Sequence, residues 1–289
     1  MAIARSQLAT ELEPGLNALF GLEYDKYDKE HLEIFDVESS DRAFEEEVML
    51  AGFGNAETKP EGGGVNYDTA QEAWTARYNH DTIAMAFSIT EEDVEDNLYD
   101  RLSARYTKAL ARSMAHAKQI KGANVLNNGF SSSYTGGDGK ELLATDHPTV
   151  TGGDFKNELT TAADLNETSL EQSLIDIGEM TDERGLLIAA KGVKMIIPPE
   201  NQFNAERLTK SQGRTGTADN DINAVNSMGM IPQGYRVNNY LTDADSWYII
   251  TDVPNGMKMF VRAPLSTAME GDFDTGNVRY KARERYSFG

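Results

Sequence analysis

The sequence predicts an α+β fold, and three observations carry that expectation. A single amphipathic stretch, Glu91 to Lys121, is longer than an ordinary globular helix. Two strand-like runs between Ala43 and Thr90 close on a Gly- and Pro-rich tip instead of a core. Period-two text returns at the C-terminus after a loop-rich middle. The 289 residues, 39% of them hydrophobic, suffice to bury a sizeable core.

At the N-terminus, Ile3, Leu8, Leu12, Leu16, Leu19 and Phe20 predict a short amphipathic helix, interrupted near Pro14-Gly15. From Glu23 to Asp41 the text is charged and aromatic, with Leu32, Ile34 and Phe35 as its strong anchors, and reads as an extended arm. The paired runs that follow make a long, thin hairpin with its tip at Asn55 to Gly64; Trp74, Ala76 and Tyr78, then Ile83, Met85 and Phe87, alternate along its second half. Two strands alone bury too little apolar surface to be stable, so a second subunit is expected to cover them.

The long helix should open on a Thr90–Asp93 capping box, with Glu91, Glu92, Asp93, Glu95 and Asp96 at the positive end of its dipole. Lys108, Arg112, Lys118 and Lys121 gather at the other end, Gly122 is the expected stop, and the length is roughly 45 Å. Farther on, Leu170, Leu174, Ile175 and Ile177 face one side of a second helix, with Leu165 as a hydrophobic staple. "KMIIPPENQFNAERLTKS" reads as a buried strand, a Pro-Pro break and a short helix, and "QGRTGTADNDINAVNSMGM" as a mobile surface loop. "YRVNNYL", "SWYIITD", "MKMFVRAPL" and "VRYKARERYSF" are strands. The last puts Arg279, Lys281, Arg283 and Arg285 on one face, which in so acidic a protein is expected to pair with acidic neighbours rather than with nucleic acid.

Composition excludes whole classes of function. A formal charge of -20, from 47 acidic and 27 basic side chains, argues against a conventional nucleic-acid-binding surface. The absence of cysteine removes disulfides and thiolate metal sites and suits folding in a reducing cytoplasm. No run approaches the ~20 apolar residues of a membrane span.

Chemistry, if present, should sit in Phe130 to Phe155, where two Gly-Gly-Asp turns flank a Lys, an Asp-His pair and a Pro. A phosphate loop requires Gly where Tyr134 stands and a hydroxyl where Glu141 stands, and a dinucleotide fingerprint fails at Leu142. The histidines, His31, His80, His116 and His147, are far apart, so no metal pair forms by spacing. Asp138, Asp146 and His147 are the candidates for a hydrolase, against which stands ordinary Asp-Gly and His-Pro turn chemistry. The turn reading is the stronger.

The order of arm, hairpin, long helix, loop-rich middle and returning strands resembles the HK97-like fold of major capsid proteins of tailed double-stranded DNA bacteriophages. "GDGKELLATDHPTVTGG", "LTDADSWYIITD", "GDFDTGNVRYKARERYSFG" and the polar "TGTADNDIN" are similar to its Mu-like branch of major head subunits. The resemblance implies an N-terminal arm (1–38), an E-loop region (39–88), a P-domain with its spine helix (89–124), an A-domain (125–254) and P-domain return strands (255–289). It further implies a non-enzymatic protein of the virion capsid, assembled in the host cytoplasm into pentamers and hexamers of an icosahedral shell. That shell would enclose double-stranded DNA without sequence-specific binding. No cofactor, metal or membrane is implied; scaffolding, portal and decoration proteins are the candidate partners beside other copies of the chain.

On this reading Phe44, Phe53, Lys59, Trp74, Tyr78, Leu32 and Phe35 are expected at subunit interfaces. The family's founding fold type forms Lys-Asn cross-links assisted by a Glu, for which Lys59, Asn277 and Glu284 would be the counterparts. A seven-residue spacing puts Asn277 and Glu284 on opposite faces of a regular strand, which argues against cross-linking. Relatives carry a few more residues after the position of Gly289. An encapsulin-type nanocompartment, the same fold around a cargo enzyme, is the alternative, although the N-terminal text typical of encapsulins is absent.

Overall fold

The computed structural model describes residues 5–90, 92, 99–214, 221–272 and 275–289, with side chains from residue 13 in the first helix and from residue 103 in the second. In chain order the first elements are α1 (Arg5–Tyr24), β1 (Asp36–Ser39), β2 (Phe44–Ala51), β3 (Gln71–Asn79), β4 (Asp81–Ile89) and α2 (Tyr99–Asn127). Then come β5 (His147–Pro148), β6 (Asp154–Phe155), α3 (Glu167–Gly178), β7 (Gly192–Ile197), α4 (Gln202–Lys210) and α5 (Ala224–Met228). The chain closes with β8 (Tyr235–Val237), β9 (Tyr248–Thr251), β10 (Lys258–Gly271) and β11 (Val278–Phe288). These elements form two compact units, one of residues 1–45, 78–122 and 257–289, the other of 46–77 and 123–256.

The first unit is a four-stranded sheet in the order β1-β10-β11-β4, with helices on one face. Strict alternation in β11 turns Tyr280, Ala282 and Tyr286 inward, where the first two meet Leu16 and Phe20 of α1 and Leu110, Ala111 and Met114 of α2. Pro264 lacks an N–H for the ladder, and β10 breaks register against β11 between Val261 and Ser266, around it.

Three expectations are corrected in this unit. α1 runs unbroken through Pro14. The stretch after it is not an extended arm: residues 30–33 form a 3₁₀ turn, β1 pairs in parallel with β10, and Phe35 packs edge-on against Phe288 with 3% of its surface exposed. The long helix does not stop at Gly122 but continues to Asn127. Gly122 is required instead for close approach, since a Cβ there would lie 3.1 Å from His31 Cβ. The Thr90–Asp93 capping box lies outside the described residues.

The second unit is built on the sheet β8-β7-β9, with β7 parallel to β8 and antiparallel to β9. Leu165, Leu170 and Leu174 pack with Met195, Ile197, Ala205, Leu208, Val225 and Ile231 in its core, while Ile175 turns out to solvent. α3 is capped reciprocally by Asn166 and Ser169, each side chain satisfying the other's backbone N–H. The strand, Pro-Pro break and short helix at 192–210 form as expected. The supposed mobile loop after them contains α5, capped by Asn223; its residues 215–220 lie outside the described ones.

Candidate assembly surfaces

β2 and β3 form a two-stranded sheet of their own, and Gly52 to Ala70 connect them, a longer tip than expected. Leu50 is 70% exposed, Phe53 61% and Tyr67 97%, and Phe44, Val48, Met49 and Val65 are also exposed. The hairpin is held by polar bonds. Arg77 Nε donates to Glu46 Oε1 at 2.7 Å, and the Gly54 N–H donates to Asp68 Oδ2 at 2.7 Å, which with the Thr69 N–H holds that carboxyl below its usual range. On the flank of β3, Arg184 Nη2 donates to Thr69 O at 2.6 Å. Gly137 lies so close that a Cβ would fall 2.5 Å from Thr75 O, so the Gly-Gly of the 130–155 loop is a packing requirement.

Of the residues expected at interfaces, Leu32, Phe44, Phe53 and Lys59 are exposed and Trp74 is half-buried. Tyr78 is half-buried because Phe260, 4.9 Å away between ring centroids, and the terminal Gly289 cover its ring. Phe35 is spent inside its own chain, as described above.

One group at the root of the hairpin escaped the sequence reading. His80, the single residue between β3 and β4, is buried; its Nε2 lies 2.9 Å from Ser40 Oγ and its Nδ1 3.1 Å from Ser287 Oγ. Ser40 Oγ in turn donates to Glu45 Oε1 at 2.6 Å. Because that hydroxyl proton goes to Glu45, His80 carries its proton on Nε2 and accepts at Nδ1. Burial, then the charge of Arg285, lower its pKa against the pull of Glu45. The break in alternation at Asn79-His80-Asp81 was the signal available in the sequence.

The 130–155 loop brings two of the hydrolase candidates together: His147 Nδ1 lies 2.6 Å from Asp138 Oδ2. Asp146 is drawn away into an ion pair with Lys140. His147 Nε2 is buried and meets no hydroxyl or other polar partner among the described residues, so the pair has no nucleophile to activate. Nor do the described residues contain a group of three or more His, Asp or Glu side chains arranged to hold a metal.

Glu284, nominated for cross-linking, faces α2 and is 2% exposed. Its Oε2 pairs with Lys118 Nζ at 2.5 Å, and that ammonium also donates to Tyr24 Oη at 2.7 Å and lies 5.1 Å from the centre of the Tyr286 ring. Burial raises the Glu284 pKa against the pull of Lys118. The carboxylate is thus engaged by α1 and α2.

A family profile described as phage capsid protein matches residues 71–289. The chain belongs to that family. No curated protein matches the capsid protein in sequence. Among solved structures it is similar to the capsid of Myoviridae phage XM1, at 11% identity and TM-score 0.52, covering 89% of this chain and 85% of that one. It is equally similar to a virus-like particle from Pyrococcus furiosus, again at 11% identity and TM-score 0.52, covering 94% and 92%. The bacteriophage JBD30 capsid matches at 13% identity and TM-score 0.45, and the capsid protein spans 60% of that chain's length. The HK97-like α+β fold expected from the order of elements is the fold these comparisons support.

Proposed function

We propose that the chain is a non-enzymatic major head subunit, forming pentamers and hexamers of an icosahedral shell around double-stranded DNA. The observation that carries this reading is the hairpin: a two-stranded sheet whose exposed Val48, Met49, Leu50 and Phe53 have no core of their own, in a chain of the capsid family. Other copies supply the cover, and Phe44, Phe53, Lys59, Trp74 and Leu32 form the contacts. The arm is 1–38, the E-loop 39–88, the P-domain 89–124 and 255–289, and the A-domain 125–254. Scaffolding, portal and decoration chains complete the head. The His147–Asp138 pair braces the loop against β3 and takes no part in turnover.

Deleting Asn55 to Gly64 tests the reading, because the tip makes no contribution to either core. The expected product is a folded, soluble subunit that gives no closed particles in the electron microscope. Particles of parental size from the deletion would overturn it.

A further inference from the structure

Beyond Arg279, which lies opposite Glu270, the outward face of the four-stranded sheet does not carry the acidic neighbours expected for it. Along the central strand β11, Lys281 stands between Ala268 of β10 and Ala86 of β4, Arg283 between Ser266 and Ala84, and Arg285 between Ala263 and Thr82. Arg279, at the end of the row, is the one cation there with a carboxylate, Asp272. Lys281, Arg283 and Arg285 have no ion-pair partner among the described residues, and neither has Arg262, whose charge acts with that of Arg285 on His80. The Nε atoms of Arg262 and Arg285 are buried without any acceptor. In a chain with 47 acidic and 27 basic side chains, adjacent cations without an ion-pair partner are the reverse of what mutual attraction produces.

From this row we infer a binding surface for the phosphate backbone of duplex DNA, which rests on the reading of the chain as a shell around DNA. Alternate residues of a strand are about 6.8 Å apart, so the cations repeat on the scale of successive phosphates along a nucleic-acid strand. Arg262 and Arg285 are half-buried, whereas the flanking Ala and Ser side chains leave the heads of Lys281 and Arg283 standing clear. They also decide what kind of anion fits. A folded protein partner needs an apolar or aromatic anchor at the centre of its contact, and around Lys281 and Arg283 the paired residues are Ala and Ser; Phe260, farther along the same face, is buried against Tyr78. The positions around Lys281 and Arg283 offer no aromatic ring for stacking an unpaired base either, so contact there is with the backbone and independent of sequence.

The test uses full-length, dissociated subunits and a fluorescent DNA duplex, with anisotropy read between about 50 and 200 mM salt. Four phosphate contacts give a slope of log affinity on log salt of about -3.6, a loss of roughly 150-fold over that range. Lys281→Ala with Arg283→Ala should halve the slope to about -1.8. Lys26→Ala and Lys156→Ala, elsewhere on the surface, should leave it unchanged. Duplex should also protect Lys281 from acetylation in the parent chain. A slope near zero, or one untouched by the double replacement, overturns the inference. So does a double variant that binds duplex like the parent yet fails to form particles, which would make the row a seat for an acidic segment of a second copy. Particle formation is scored separately: a full slope from subunits that never close shells upholds the row and sinks the shell reading.

Discussion

Replacing Lys118 by Met strands the Glu284 carboxylate in the core of the first unit. Oε1 of that group already lacks a partner, Oε2 loses its ammonium at 2.5 Å, and Tyr24 Oη at 3.5 Å is the only donor left among the described residues. Breaking one half of a buried pair costs about 3–5 kcal/mol, most of it desolvation of the abandoned charge. Replacing both, Lys118→Met with Glu284→Leu, removes the charges together and should bring the subunit back to within about 1 kcal/mol of the parent. Both tryptophans, Trp74 and Trp247, lie in the other unit. Urea unfolding of dissociated subunits is therefore best followed by circular dichroism, with hydrogen exchange at α1 and β11. A second readout has a fixed sign. Burial raises the Glu284 pKa, so the folded protein takes up this proton more readily than the unfolded chain, and the deficit of Lys118→Met should shrink as pH falls. The reasoning fails if Lys118→Met costs under about 1 kcal/mol, or if the double replacement costs the sum of the two single ones.

His31 gives a pH dependence of the opposite sense. Burial lowers its pKa from 6.5 to about 4, so the unfolded chain binds the extra proton and stability is lost as pH falls from about 6.5 towards 4. The loss should reach roughly 3 kcal/mol, and His31→Gln should flatten that part of the curve; an unchanged acid limb would refute the assignment. Gly137→Ala should force the loop off Thr75, cost about 1–3 kcal/mol and speed hydrogen exchange along β3, whereas parental exchange rates would show that the contact is loose.

Much of the fold was legible because its signals are periodic. The alternation of Tyr280, Ala282 and Tyr286, the stripe of α2 and the break at Pro198-Pro199 are local patterns, and each produced the expected element. The errors arose where a residue answers to a distant neighbour. Gly122 looks like a helix stop but is small because His31 passes over it, and Gly137 looks like turn chemistry but is small because β3 does. Phe35 looked like a grip on another subunit, and the ring that takes it up, Phe288, lies 253 positions along the chain. The Asp-His pair shows the same limit in reverse: Asp138 and His147 do meet, yet His147 Nε2 finds no polar partner among the described residues. The free cations of β11 needed the register of three strands before their neighbours could be named.

That register also sets a timetable. β11 leaves the ribosome after every other described strand, and it stands between β10 and β4, supplying Tyr280 and Ala282 to the core and Glu284 to the buried pair with Lys118. The residues of the other unit, 46–77 and 123–256, are all translated before it. The first unit therefore stays open during synthesis, with two strands lacking their common partner, until β11 arrives. A ribosome that stalls or stops early releases a chain missing the middle of its sheet, not merely its edge. Such a chain cannot close the unit that carries α1 and α2, so an incomplete copy is unfinished at its centre by its own topology.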